Sequence, residues 1–139
     1  MSAELEIKLN NTLSELGQFN QVLMEFGRRQ DLSPGVVHDL NLALEEILIN
    51  IISYAYTDSR QHEIKVRLSA PPGEVKAEVE DDGQPFNPLE APEPDVTRPL
   101  EERTIGGLGI FLVRKLMDGI EYKRQADRNL LTITKKMRC

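Results

Sequence analysis

One stretch of the sequence decides the fold: Asn41-Leu-Ala-Leu-Glu45-Glu46-Ile-Leu-Ile-Asn50-Ile-Ile-Ser-Tyr54-Ala-Tyr56. At about 100° per residue, apolar side chains cover most of the circumference, which predicts a helix buried on nearly all sides. Glu46 and Asn50 lie four residues apart and therefore share one edge of that helix. Burying an unpaired polar group costs on the order of a few kcal/mol, so we interpret this edge as part of a site. The alternative interpretation is a core polar pair satisfied by neighbouring backbone.

The residues before this helix predict a strand and a second helix. Residues 4–9 alternate between polar and apolar, which is typical of a half-buried strand. Thr12 and Glu15 predict a capping box that starts a first helix, and Arg28-Arg29 suit the C-terminal end of that helix. Ser33-Pro34 predicts the start of the central helix, which should run to about Tyr56.

The residues after the central helix predict two hairpins. Residues 64–68 and 75–79 alternate between apolar and charged, and Pro71-Pro72-Gly73 separates them as a turn. Residues 120–134 predict a closing hairpin, with Asp127-Arg128-Asn129 as its turn. One face of these strands is apolar and the other is polar, so we expect a two-layer α/β sandwich with the helices on one face of the sheet.

Length and composition bound the class of protein. With 139 residues, 40% of them hydrophobic and 29% charged, the sequence predicts one globular domain over 1–139. It contains no long apolar run and no leader pattern, so we expect a cytoplasmic protein. A net charge of −6 argues against nonspecific binding to nucleic acid or to an anionic membrane. Cys139 is the single cysteine, and we interpret it as an incidental free thiol.

The segment between the two hairpins contains a proline-rich stretch followed by a glycine cluster. Residues 85–99 carry five prolines among acidic residues, which predicts a long loop, either a lid over a ligand or a plain insertion. Gly106-Gly107-Leu108-Gly109 then opens an apolar stretch that predicts a helix ending near Asp118-Gly119. Glycines at the start of a helix favour an anion site, because the free backbone N–H groups and the helix dipole point toward the ligand.

Three short motifs of the chain together resemble a known family. Glu46-x-x-x-Asn50, then Asp81-x-Gly83-x-Pro85-Phe86, then Gly107-x-Gly109 are similar, in type and order, to the N, G1 and G2 boxes of the GHKL ATPase/kinase superfamily. Within that superfamily the chain looks most like the anti-sigma regulatory factor kinases. The resemblance implies a Bergerat-type α+β fold, with helices on one face of a mostly antiparallel, mixed sheet.

The resemblance also implies a role for each motif, with ATP and Mg²⁺ as ligands. Asn50 is expected to bind Mg²⁺ and Glu46 to act as the general base, roles that suit a carboxamide oxygen and a carboxylate. Asp81 is expected to accept a hydrogen bond from the adenine amino group, with Gly83 letting the base approach the backbone. The segment Gly107-Leu108-Gly109 is expected to cradle phosphates. Residues 87–105 are expected to form the lid over ATP.

Two further positions match the family less closely. Arg103 stands where a lid arginine could contact a phosphate, with surface solvation as the alternative. Thr132 is a candidate for the threonine of the last box, although the usual Gly-Thr dipeptide is missing. Tyr54 stands where many relatives have a histidine, which is a departure from the family pattern.

The resemblance implies an ATP-dependent protein serine/threonine kinase that acts as an anti-sigma regulatory factor. Its substrate would be a serine of a STAS-type anti-anti-sigma antagonist, its other partner a sigma factor, and the chain could form a homodimer. A non-catalytic ATP-binding switch module is the first alternative. The catalytic domain of a histidine kinase is the second.

Overall fold

The computed structural model describes residues 4–56, 60–85 and 107–137. In chain order, the elements are β1 (Glu4–Asn10), α1 (Leu16–Arg29), α2 (Pro34–Tyr54), β2 (Glu63–Ser69), β3 (Glu74–Asp81), α3 (Gly107–Leu116), β4 (Gly119–Gln125) and β5 (Arg128–Lys136). The strands form one sheet in the order β1-β2-β3-β5-β4. The closing hairpin therefore adds β5 directly beside β3, so the end of β3 faces the start of β5.

The sheet confirms the predicted fold class and corrects one detail of it. Every described strand pair is antiparallel, so the expectation of a mixed sheet is wrong for this part of the chain. Inward side chains of all the strands pack beneath the helices, and the most deeply buried among them are Ile64, Val66, Leu68, Val75, Ala77, Val79 and Ile133. This alternation of buried and more exposed residues is the one that the sequence predicted.

The central helix forms as predicted but is less enclosed than expected. The Ser33 Oγ accepts a hydrogen bond from the Val36 N–H at 3.3 Å and caps α2. One face of α2 is buried through Leu40, Leu44 and Leu48. Residues 42, 49 and 52 are only partly buried, because the helices form a single layer on the sheet.

Two local predictions are wrong. Thr12 makes no capping bond, and the Glu15 carboxylate instead accepts from the Asn10 N–H at 3.1 Å, after which a short 3-10 turn leads into α1. The closing hairpin turns at Ala126-Asp127, where both residues have positive φ. Asn129 is therefore a residue of β5 and not of the turn. No helix in the described ranges is long and apolar enough to cross a membrane.

Candidate functional site

The buried carboxylate of Asp81 stands at the end of β3. Asp81 is only 3% exposed. Its Oδ1 accepts two hydrogen bonds, from the Gly83 N–H at 2.9 Å and from the Asn129 Nδ2 at 3.0 Å. Its Oδ2 accepts none from the described parts of the chain. The site thus holds a carboxylate whose orientation is fixed through one oxygen while the other oxygen is open to a ligand.

On balance, the surroundings of Asp81 favour the protonated form of its carboxyl group. Burial raises the pKa of the Asp81 carboxyl, and the negative charge of Asp82 acts in the same direction. The hydrogen bonds from Asn129 and Gly83, and the positive charge of Arg124, oppose that rise in pKa. The charged form is therefore maintained by a small number of identifiable groups around it.

Gly83 brings the segment after β3 against the C-terminal end of α2. A Cβ at position 83 would lie 2.5 Å from the Ala55 carbonyl oxygen and 2.6 Å from the Ala55 Cβ, so only glycine fits. The adjacent Gln84 N–H donates to the same Ala55 oxygen at 2.8 Å. Because Ala55 follows Asn50 by little more than one helical turn, this contact joins the Asp81 segment to the helix that carries Glu46.

Sequence reasoning missed three residues of the closing hairpin that support this segment. Asn129 is 4% exposed and donates to Asp81 and, at 2.8 Å, to the Gln84 carbonyl. The Tyr122 hydroxyl donates to the Asn129 Oδ1 at 2.5 Å, and the Arg124 Nη1 donates to the Gly83 carbonyl at 2.8 Å. A signal was present for Asn129, because residues 129, 131 and 133 share the inward face of β5 and only the first is polar.

Glu46 and Asn50 share one edge of α2, as predicted. Asn50 is 4% exposed, and its Nδ2 donates to the backbone carbonyl of Glu46 at 3.0 Å. This bond is the backbone-satisfied arrangement that was the alternative interpretation, but it uses only the amide donor. The Asn50 Oδ1 receives no hydrogen bond within the described ranges, and the Glu46 side chain is half-buried. One acceptor oxygen and one carboxylate therefore remain for a ligand.

The glycine segment forms the first turn of α3. The helix begins at Gly107, so the backbone of residues 107–109 lies at its N-terminal end, where N–H groups have no partner within the helix. α3 packs against α2 and buries Val113, and Met117, which directly follows the helix, is also buried. The second and third motifs are thus both joined to α2. Arg103 and the predicted lid over 87–105 lie outside the described residues, as does Cys139.

Thr132 does not lie beside Asp81. It pairs in register with Glu78, whereas Asp81 pairs with Asn129. Successive residues of a strand point to opposite faces, so Thr132 faces away from the buried series that includes Asn129. The structure therefore brings Asn129, and not Thr132, to Asp81.

The donor set fits a magnesium nucleotide. The Asp81 Oδ2 is an acceptor for an exocyclic amine, and the Asn50 Oδ1 is a hard oxygen of the kind that Mg²⁺ prefers. The backbone at the start of α3 offers N–H groups to phosphates. Among the described residues there is no group of three or more His, Cys, Asp or Glu that could hold a metal by itself.

Comparisons with known proteins point to one family. Residues 9–135 match the model of the histidine kinase-like ATPase domain. The chain is 34% identical over 95 residues to the serine/threonine-protein kinase BtrW of Bordetella bronchiseptica, which covers 68% of this chain and 67% of that protein. It is 25% identical over 126 residues to the serine-protein kinase RsbW of Oceanobacillus iheyensis, covering 87% and 79% respectively.

Two solved structures share the fold. The structure of the RsbU and RsbW domains of a Mycobacterium tuberculosis protein superposes with a TM-score of 0.67 at 18% identity, covering 96% of this chain and 32% of that longer chain. The histidine kinase AdeS of Acinetobacter baumannii superposes with a TM-score of 0.52 at 15% identity, covering 96% of this chain and 68% of that one.

Proposed function

Because the chain belongs to the histidine kinase-like ATPase domain family, we propose that it is an Mg-ATP-dependent protein serine/threonine kinase that acts as an anti-sigma regulatory factor. Its substrate is a serine of a STAS-type anti-anti-sigma antagonist. The names of its relatives, serine-protein kinases BtrW and RsbW, support the kinase class.

The observation that carries the proposal is the arrangement around α2. A half-buried carboxylate, Glu46, shares one helix edge with Asn50, and the close contact of Gly83 with Ala55 ties the Asp81 segment to the same helix. In this assignment the Asp81 Oδ2 accepts from the adenine amine, while the start of α3 binds phosphates. A base is needed for phosphoryl transfer but not for nucleotide binding, so the presence of Glu46 favours catalysis.

The proposed reaction is a phosphoryl transfer. The antagonist serine Oγ forms a bond to the γ-phosphorus while the bond from that phosphorus to the bridging oxygen of ADP breaks. Glu46 accepts the proton that the serine hydroxyl loses. Asn50 would hold Mg²⁺, which offsets phosphate charge when bound.

A lid and protein partners belong to the same proposed function. We assign residues 87–105 as a lid over ATP and Arg103 as a phosphate contact, within one domain over 1–139. The proposed partners are the antagonist, a sigma factor and a second copy of this chain, and the proposed location is the cytoplasm. An edge strand such as β1 is a place where a second chain can pair.

The proposal is tested by phosphotransfer with variants of the α2 edge. Glu46→Gln keeps the size and polarity of the side chain but removes the base, so we expect ATP binding to persist while transfer to the antagonist serine falls by a factor of about 10²–10⁴. Asn50→Ala removes the magnesium ligand and is expected to impair Mg-dependent ATP binding itself. Glu45→Gln, the adjacent carboxylate on α2, is the matched control and should retain both activities.

Two readouts separate the kinase from its alternative. ATP affinity is measured by calorimetry, and transfer is measured as radiolabel on candidate antagonists encoded near this chain. Suppose that the wild type labels none of them, and that Glu46→Gln regulates its partner as the wild type does. The chain would then be an ATP-binding switch module and not a kinase.

A further inference from the structure

A row of three polar side chains crosses from β4 to the end of β3. The Tyr122 hydroxyl donates to the Asn129 Oδ1, and the Asn129 Nδ2 donates to the Asp81 Oδ1. A carboxamide oxygen can only accept and its nitrogen can only donate, so the direction of the two bonds is determined by chemistry. Because Tyr122 engages the oxygen of Asn129, the amide presents its nitrogen to Asp81 and cannot turn its oxygen toward the carboxylate without losing both bonds.

These hydrogen bonds determine which oxygen of Asp81 is available to a ligand. The Oδ1 is engaged twice, by Gly83 and Asn129, which fixes the rotation of the carboxyl group and turns Oδ2 away from both donors. Asn129 is itself held a second time, because its Nδ2 also donates to the Gln84 carbonyl. All of these atoms belong to β3, β5 or the segment after β3. The row is therefore built into the sheet and does not depend on the bound ligand.

We propose that Tyr122 and Asn129 are a positioning pair that keeps Asp81 in the acceptor-only form and so makes the site prefer adenine to guanine. The proposal rests on the proposed function, which places an adenine nucleotide at Asp81. Adenine offers an amino donor at the position where guanine offers a carbonyl acceptor. An ionised carboxylate accepts from the former and repels the latter, whereas a protonated carboxyl group can donate to the guanine oxygen.

The groups around Asp81 act on its protonation in opposite directions, so the hydrogen bond from Asn129 matters. Burial and the neighbouring Asp82 favour the protonated form of the Asp81 carboxyl group. The Asn129 and Gly83 hydrogen bonds and the charge of Arg124 favour its ionised form. Asp82 is in turn paired with the His62 Nδ1 at 3.2 Å. Of the groups that favour the charge, only Asn129 is a neutral side chain whose orientation is determined by another side chain. Loss of either member of the pair is therefore expected to raise the pKa of Asp81.

The test combines two variants with a control on the same strand. Tyr122→Phe keeps the ring and removes only the hydroxyl, and Asn129→Leu keeps the side-chain size and removes the donor. Glu121→Gln lies next to Tyr122 on β4, on the solvent-facing side, and is the matched control. The Kd of ATP and of GTP is measured by calorimetry from pH 5 to pH 9. The Asp81 carboxyl is titrated by ¹³C NMR without nucleotide.

We expect Asn129→Leu to weaken ATP binding by about 10- to 100-fold, which is the effect of losing a hydrogen bond to a charged group. Tyr122→Phe should weaken ATP binding by a smaller factor. In both variants the ¹³C titration midpoint of Asp81 should move to higher pH, and the preference for ATP over GTP should shrink as the pH falls. Glu121→Gln should behave as the wild type.

Three results have distinct meanings. Unchanged Asp81 titration and an unchanged ratio of ATP to GTP affinity in Tyr122→Phe, a variant that removes a single oxygen atom, would overturn the positioning role while leaving ATP binding intact. Weaker ATP binding in either variant without these two changes would mean that the pair is merely structural. Failure of the wild type to bind any nucleotide would instead overturn the proposed function, and the specificity role with it.

Discussion

Two regions of the sheet bury different kinds of side chain. Beside the edge strand β1, a cavity of about 720 Å³ lies against α1, and its walls are largely apolar, including Ile7, Val22 and Phe26. Where β3 ends and β5 begins, polar side chains are buried instead. Asp81 and Asn129 are 3% and 4% exposed and bond directly to each other.

This difference shows that the volume of a cavity does not by itself identify a functional site. A large apolar cavity is the usual starting hypothesis for a binding site, but it also requires a few oriented polar groups. At the β1 end the described polar side chains include Glu25, which pairs with Arg28 and Arg29 on the surface of α1. At the β3 end, burying a carboxylate is costly, and its retention there with one open oxygen indicates a ligand.

The largest effect is expected from Gly83→Ala, which disrupts the contact that joins the Asp81 segment to α2. The new Cβ would overlap the Ala55 backbone, so the segment must move and the bond from Gln84 to Ala55 must weaken. We expect a loss of about 1–3 kcal/mol in the free energy of unfolding, typical of overpacking. ATP binding should weaken in parallel.

Gly17→Ala is the matched control for this change. Gly17 lies in α1 with nothing within 4 Å of the added Cβ, so alanine should stabilise the helix by about 0.5–1 kcal/mol. Urea unfolding measures both variants. A Gly83→Ala protein as stable as the wild type, with normal ATP affinity, would contradict the assigned close approach.

Much of the fold could be predicted from the sequence, because the burial pattern has a clear period. The alternation of residues 64–68 and 75–79 and the apolar circumference of residues 40–51 predict the hairpin and the helix that packs on it. The three boxes predicted the family. Thr12 does not cap the helix, because its hydroxyl pairs with the Ser14 hydroxyl at 3.2 Å while the Glu15 carboxylate accepts from the Asn10 N–H. Such a choice between nearby partners depends on the exact path of the backbone.

The site was only partly predictable. Glu46, Asn50, Asp81 and Gly83 belong to local motifs, and each motif is visible within one short stretch. Asn129 joins Asp81 from 48 positions away, and that pairing depends on β5 lying beside β3, which the sequence alone does not specify. The predicted turn ended two residues too late and so assigned Asn129 to a loop, whereas β5 begins at Arg128.

Asp81→Asn is expected to have two effects of opposite sign, one on ATP affinity and one on stability. The asparagine keeps an oxygen for the donors of Gly83 and Asn129 but presents an amide nitrogen where Oδ2 met the ligand. ATP binding should weaken by about 1–3 kcal/mol, because the acceptor for the adenine amine is lost. Val22→Thr, in the wall of the apolar cavity, is the control that should leave ATP affinity unchanged.

The same substitution should stabilise the protein without nucleotide at pH 7. Burial raises the pKa of Asp81 in the folded state above its unfolded value of about 3.9. The folded protein therefore holds the proton to higher pH, so this group's contribution to stability falls as the pH rises from the unfolded pKa through the folded pKa. Asparagine carries no such charge. A lower urea midpoint for Asp81→Asn than for the wild type at pH 7 would contradict this account.

The most direct test of the central claim is an amide NMR titration of the wild type with Mg-ATP, because it observes the Asp81 region and the apolar cavity at once. We predict that the Gly83 and Gln84 amides and the Asn129 side-chain amide shift and saturate together, while amides around the apolar cavity, such as Val22 and Phe26, stay unchanged. Shifts confined to the cavity, with the Gly83 and Asn129 signals unmoved at saturating nucleotide, would contradict the account and place the nucleotide in the cavity beside β1.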